Sequence, residues 1–196
     1  MNAAAPKRFG RTAIMTSANA VTLGRVVFGI PVLIFIAVTG SHWATVACWF
    51  VISVTDWLDG YLARKEGTTS SGAFLDPLAD KVLVLGGFLA VAARGSLSYW
   101  FVLALAAREA FVSLYRFFAA RQGISMPARP LGKIKTFVQF ATVGWILLPP
   151  TADAKGWHTI WATAAIAITW ISGVDLIANS VRRRTNEDQD PQPLTP

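Results

Sequence analysis

The chain has one cysteine, Cys48, two histidines and only 15 % charged residues among its 196. A lone cysteine excludes an intramolecular disulfide and any CxxC metal site. The shortage of charge, set against 54 % hydrophobic residues and a mean hydropathy of +0.46, excludes a soluble domain of this size, which would need far more polar surface. The sequence therefore reads as a membrane protein. It shows no internal repeat and no GxxxG pair that would specify a helix dimer. At roughly 20 residues per span, about six helical crossings use up the chain, leaving no room for a separate soluble catalytic domain or a large barrel. Acidic residues are scarce too: eleven Asp and Glu against eighteen Lys and Arg give +7 at pH 7. In a chain this apolar that surplus points to anionic lipid and topology, not to nucleic acid.

Apolar runs fall at about 21–39, 43–63, 73–93, 99–119, 136–150 and 157–180, separated by short stretches with Gly, Ser, Thr or charge. The expected fold is all-α, a polytopic bundle of six transmembrane helices. The basic start (Lys7, Arg8, Arg11) followed by an apolar run raises a signal peptide, but the run is too long for an h-region and further spans follow, so it is kept as the first helix. Residues 1–18 form a cytoplasmic juxtamembrane segment, 19–181 the helical catalytic domain and 182–196 a cytoplasmic tail. Thr185 to Pro196, with three prolines and almost no apolar residue, is expected to be disordered.

A cytoplasmic N-terminus places Lys7, Arg8, Arg11, Arg64, Lys65, Arg121, Arg129, Lys133, Lys135 and Arg182 to Arg184 inside, and only Arg94 and Lys155 outside. Trp43, Trp100 and Trp157 each open a helix that starts on the outer side, where interfacial indoles belong. His42 and His158 stand beside such tryptophans and are read as interfacial, and Arg182 to Arg184 as a stop signal that also attracts anionic lipid.

Ionisable residues within the spans carry the functional information: Arg25, Lys81, Arg108 and Arg116, with Asp56, Asp59, Asp76, Asp80, Glu109 and Asp175. A carboxylate at a helix centre costs on the order of 2.5–3.5 kcal/mol on insertion scales, so four close together need a reason. Asp56 and Asp59 are i, i+3, with Gly60 and Ala63 on the same face; Gly72, Asp76 and Asp80 repeat at i, i+4, i+8. A short loop joins the two helices, so the four acids can converge near the cytoplasmic surface. Like charges in a poorly hydrated site raise each other's pKa and cannot all stay ionised without cations. An oxygen-only ligand set suits two hard ions, Mg²⁺ or Mn²⁺, about 3.5–4 Å apart. Small residues leave clearance for a bulky ligand, and Arg64 adds positive charge for phosphate. The plainer alternative is that these acids are helix caps or structural ion pairs, with Asp80 paired to a lysine such as Lys81. That suits any single aspartate better than the whole set.

The string D56-x2-D59-G60-x2-A63-R64, then G72-x3-D76-x3-D80, resembles the signature of the CDP-alcohol phosphotransferases. It has seven residues between Arg64 and Gly72 where the family has eight, so the loop hydroxyl that meets the nucleotide is Thr69 or Ser70. N19-x2-T22-x2-R25, the pair Arg108 and Glu109 followed by Arg116, and G132-K133-x-K135-T136 resemble the branch of bacterial enzymes that make phosphatidylglycerophosphate. The resemblance spans most of residues 19–175. It implies a six-helix homodimer in the bacterial inner membrane, its site facing the cytoplasm, that binds CDP-diacylglycerol and passes the phosphatidyl group to an alcohol with loss of CMP. It implies that Asp56, Asp59, Asp76 and Asp80 hold two metal ions, that Asp80 is also the general base, and that Asn19, Thr22, Gly60, Ala63, Arg64, Thr69 and Gly72 shape the CDP site.

Arg108, Arg116, Lys133 and Lys135 could form a cationic pocket beside the metals, suited to an acceptor with its own phosphate. Glycerol 3-phosphate is the first choice. Inositol phosphate is the runner-up, and phosphatidylglycerol, giving cardiolipin, a further acceptor. Lys133 and Lys135 could instead be ordinary positive-inside charges. Arg108 differs, because an arginine inside a span is costly without a partner or ligand; Glu109, which shares a face with Arg116 at i+7, could orient a pocket arginine. Intramembrane aromatic prenyltransferases also use aspartates and Mg²⁺, but in two separated repeats. A cation transporter could use four membrane acids, yet has no need of Gly60, Ala63, Arg64 and Gly72. Asp175 could pair with Arg182 or with another helix.

Overall fold

The structure is a computed structural model that describes the backbone of residues 17–66, 72–122 and 130–189 and the side chains of 22–55, 78–122 and 130–182. The described residues form α1 (Ser17–Thr39), α2 (Trp43–Glu66), α3 (Gly72–Ala93), α4 (Tyr99–Arg121), α5 (Pro130–Leu147) and α6 (Lys155–Gln189), with one 3₁₀ turn at Pro149–Thr151 and no strand. Each expected apolar run lies in a helix, and the differences are at the ends. The fifth helix starts at Pro130, where a proline at the first position lacks only an N–H that would be unsatisfied anyway, and it stops before Pro149 and Pro150. The sixth runs on to Gln189, so residues 185–189 are helical where disorder was expected. No proline or glycine intervenes between Arg182 and Gln189, and extending an existing helix needs no new nucleus. Residues 190–196 lie outside the described set.

Two turns are fixed by left-handed glycines. Gly40 (φ +74°) closes α1 with its N–H on Ile36 O at 2.8 Å. Gly95 (φ +73°) closes α3 with a pair of bonds, Gly95 N to Ala92 O and Ser96 N to Val91 O. Arg94 reaches back over Gly40 and donates to Val38 O at 3.1 Å, which ties the ends of α1 and α3 together.

Helix α1 packs along both α2 and α3; α4 lies against α3 and α6, and α5 touches α2, α3 and α6. Small residues set these approaches, as expected where close packing must replace hydrophobic exclusion. Leu83 fits against Gly29, and Leu33 against Gly86. At the centre, the buried Trp49 lies over Gly87 and Gly144, stacks on Phe140 at 5.2 Å and donates Nε1–H to Phe140 O at 2.9 Å. Gln139 to Thr169 (2.8 Å) joins α5 to α6, and Tyr115 to Ser180 (2.8 Å) joins α4 to α6.

Within the described residues two segments are long and apolar enough to cross a membrane, Thr22–Thr39 and Lys155–Arg182. Only 22 % and 28 % of their residues are buried, unlike the core helices of a soluble protein, and α1 is an integral part of the bundle. Phe28, Ile34, Val38, Phe50, Trp100, Phe137, Ile160 and Val174 all point outward, an apolar exterior suited to lipid. The other helices carry charge that dilutes their hydropathy, such as Arg108, Glu109 and Arg116 on α4. Trp43, Trp100 and Trp157 are exposed at their helix starts, and His42 is exposed beside Trp43. His158 is a correction: it is 0 % exposed, with Nδ1 3.3 Å from Ser96 O, because its position in the first turn of α6 turns inward onto the loop after α3.

A Cβ on Gly87 would stand 2.5 Å from Trp49 Cη2, and the indole is held on its other sides. Gly87→Ala is expected to cost about 1–3 kcal/mol. Gly156→Ala, with open space around it, should change stability by no more than about 0.5 kcal/mol. Thermal unfolding in detergent compares the two, and equal stabilities would contradict the packing described.

Candidate active site

Helix α2 is unbroken through Asp56, Asp59, Gly60, Ala63 and Arg64, and α3 carries Gly72, Asp76 and Asp80 in its first three turns. The helical spacings read from the sequence are therefore real spacings. A link of five residues, 67–71, joins the helices, so the end of α2 and the start of α3 lie at one end of the bundle. At 1.5 Å per residue, Asp56 and Asp59 stand about 15 and 10 Å before the end of α2, and Asp76 and Asp80 about 6 and 12 Å after the start of α3. Along their helices the four acids thus all lie within about 15 Å of the ends that the link joins. The side chains of Asn19, Asp56, Asp59, Ala63, Arg64 and Asp76, the backbones of Gly60 and Gly72 beyond their helical state, and the whole of Thr69 lie outside what is described.

Asp80 is the member whose side chain is described. Its Oδ1 is buried and has no hydrogen-bond partner. Charges on four helices face it: Lys135 from α5, Arg25 from α1, Glu109 from α4, and Lys81 beside it on α3. A carboxylate oxygen enclosed without a donor costs about 1–3 kcal/mol, so the position favours a bound cation. A carboxylate oxygen is a hard donor, suited to Mg²⁺ or Mn²⁺ over softer ions. On α1, Thr22 and Arg25 are both buried, at i and i+3 on one face.

Beside Asp80 lies a second charged group. Arg108, only 4 % exposed, donates Nη1–H to Glu109 Oε1 at 2.9 Å, and Lys135 Nζ donates to the same oxygen. Ser113 Oγ–H donates to the backbone carbonyl of Glu109, and Lys81 Nζ donates to Ser113 Oγ. Arg108 Nε is buried with no hydrogen-bond partner. Of the four residues read as an acceptor pocket, Arg108 and Lys135 come together, whereas Arg116 and Lys133 are exposed.

The sequence did not reveal that Lys135 meets Glu109, because the two stand 26 residues apart on separate helices. Nor did it assign a role to Arg25 or to the Lys81 and Ser113 pair. An arginine in an apolar run was the available signal for Arg25. Asp175 accepts from Asn179 Nδ2, its i+4 neighbour, at 2.9 Å.

Mn²⁺ binding followed by electron paramagnetic resonance in detergent micelles tests the cation assignment. Asp80→Asn should weaken binding by about tenfold or more, since a ligand loses its charge. Unchanged affinity would remove Asp80 from the ligand set.

Comparison with known proteins adds an independent line. The model of the CDP-alcohol phosphatidyltransferase family matches residues 15–174. A probable phosphatidylglycerophosphate synthase of Mycobacterium tuberculosis is 36 % identical over 179 residues, covering 88 % of this chain and 85 % of its relative. Proteins named CDP-diacylglycerol–glycerol-3-phosphate 3-phosphatidyltransferase are 39 % identical in Escherichia coli (strain K12), covering 78 % of this chain and 84 % of the other, and 36 % identical in Bacillus subtilis, covering 63 % and 69 %. With most of its length matched by the family model and by these relatives, the chain belongs to the CDP-alcohol phosphatidyltransferase family.

Proposed function

We propose that this protein transfers the phosphatidyl group of CDP-diacylglycerol to glycerol 3-phosphate and releases CMP, at the cytoplasmic face of a bacterial inner membrane that its six helices span. The observation that carries the choice of acceptor is the pair of enclosed cations, Arg108 and Lys135, set beside Asp80. A neutral acceptor would leave a buried arginine and a half-buried lysine sharing one carboxylate, whereas a phosphate-bearing acceptor supplies further negative charge. The names borne by relatives in three bacteria agree with this acceptor.

Two Mg²⁺ or Mn²⁺ ions held by Asp56, Asp59, Asp76 and Asp80 would neutralise the diphosphate and the charge that builds on the departing CMP. The chain's own residues do the rest. Asn19, Thr22, Gly60, Ala63, Arg64, Thr69 and Gly72 form the surroundings of the CDP group, the glycines and alanine by leaving the helix backbone open to it. Arg108 and Lys135 hold the acceptor's phosphate and thereby bring its hydroxyl to Asp80. The hydroxyl oxygen forms a bond to the phosphorus that carries diacylglycerol. The bond from that phosphorus to the bridging oxygen breaks, its electron pair leaves with CMP, and the hydroxyl proton passes to the Asp80 carboxylate.

The test is product analysis from labelled CDP-diacylglycerol with glycerol 3-phosphate, inositol phosphate, inositol, serine and phosphatidylglycerol offered in turn. Turnover is expected with glycerol 3-phosphate, lost on chelation and restored by Mg²⁺ or Mn²⁺. Faster turnover with inositol phosphate would move the chain to another branch of the family, and turnover in the presence of a chelator would refute the metal assignment. Asp80→Asn should lower kcat by about 10²–10⁴ while the protein still binds CDP, as expected when a general base is lost. A normal rate would remove Asp80 from that role.

A further inference from the structure

We infer that Glu109 and Gly173 are positioning residues that hold Arg108 and Lys135 as one fixed cationic seat for the acceptor's phosphate, in register with Asp80. This rests on the acceptor reading above. Glu109 Oε1 accepts from Arg108 Nη1 and from Lys135 Nζ, so a single carboxylate oxygen joins cations from α4 and α5. Without it two like charges would face each other in an enclosed space, and the flexible lysine would swing away. The carboxylate is itself anchored through its backbone. Ser113 Oγ–H donates to Glu109 O, and Lys81, the neighbour of Asp80, donates to Ser113 Oγ. A chain of contacts therefore runs from the segment bearing Asp80 to the seat.

Gly173 sets the other side. A Cβ there would stand 3.1 Å from Arg108 Nε, 3.3 Å from Nη2 and 3.3 Å from Val112 Cγ2, so a side chain at residue 173 would require the guanidinium or Val112 to give by a few tenths of an ångström. Arg108 Nε is left without an acceptor in this enclosed position. A purely structural ion pair would be expected to use up such a donor. Two cations against one carboxylate leave one net positive charge in the seat, which a phosphate can take up without expelling Glu109. A phosphate held there fixes the distance from its own hydroxyl to Asp80, and small misplacements of a reacting group lower rates steeply.

Steady-state kinetics of Glu109→Gln, Gly173→Ala and Lys135→Met in mixed micelles, with inorganic phosphate as a competing probe, test this. Glu109→Gln and Gly173→Ala should each raise KM for glycerol 3-phosphate about five- to fiftyfold and weaken inhibition by phosphate in parallel, with KM for CDP-diacylglycerol within about twofold. A merely structural role would lower yield or Tm and leave the acceptor KM of the folded fraction unchanged. If Lys135→Met raises the acceptor KM and the other two do not, positioning by Glu109 and Gly173 is refuted while the acceptor site stands. If none of the three raises it, the acceptor site itself is wrong and the inference falls with it. Should Glu109→Gln not fold, Gly173→Ala decides alone, since it keeps every charge and presses only on the guanidinium and Val112.

Discussion

A charge enclosed by apolar helices must meet an opposite charge, a set of hydrogen-bond donors or a ligand, and this requirement organises the functional half of the molecule. The outward surfaces of α1 and α6 are apolar, yet the interior gathers Asp80, Glu109, Arg25, Lys81, Arg108 and Lys135. Part of that charge is balanced internally through Glu109. Among the described residues, Asp80 Oδ1 and Arg108 Nε are enclosed without hydrogen-bond partners. They belong to groups of opposite sign, and in the proposed reaction the carboxylate would serve cations and a proton and the guanidinium the acceptor's phosphate.

The scaffold that permits this is a set of close helix approaches. Gly29, Gly86 and Gly87 bring α3 against α1 and Trp49, and Gly173 brings α6 against Arg108. Since α1 and α5 both touch α2 and α3, the two acidic helices are held from the sides through their neighbours. The described members of the candidate site are thereby placed on helices, which keeps them at fixed separations.

The helix assignments and the acidic signature were legible because each depends on local spacing. Aspartates in an apolar run stand out against the cost of placing them there, and i, i+3 or i, i+4 spacing is enough to share a face. Helix ends were less legible: Pro130 starts a helix that hydropathy alone begins at 136, and the polar stretch after Arg184 is carried along by the helix before it. Contacts between distant segments were not legible at all. Nothing near His158 signals that it turns inward onto Ser96, and nothing near Glu109 signals Lys135, since both contacts arise from how helices cross.

The central claim is that Asp56, Asp59, Asp76 and Asp80 share bound divalent ions at the mouth of the bundle. Anomalous diffraction from crystals soaked with Mn²⁺ tests it most directly. Two peaks are expected, each within about 2.0–2.6 Å of carboxylate oxygens from both α2 and α3. Peaks bound only to other carboxylates, or none among these four side chains at saturating Mn²⁺, would contradict it.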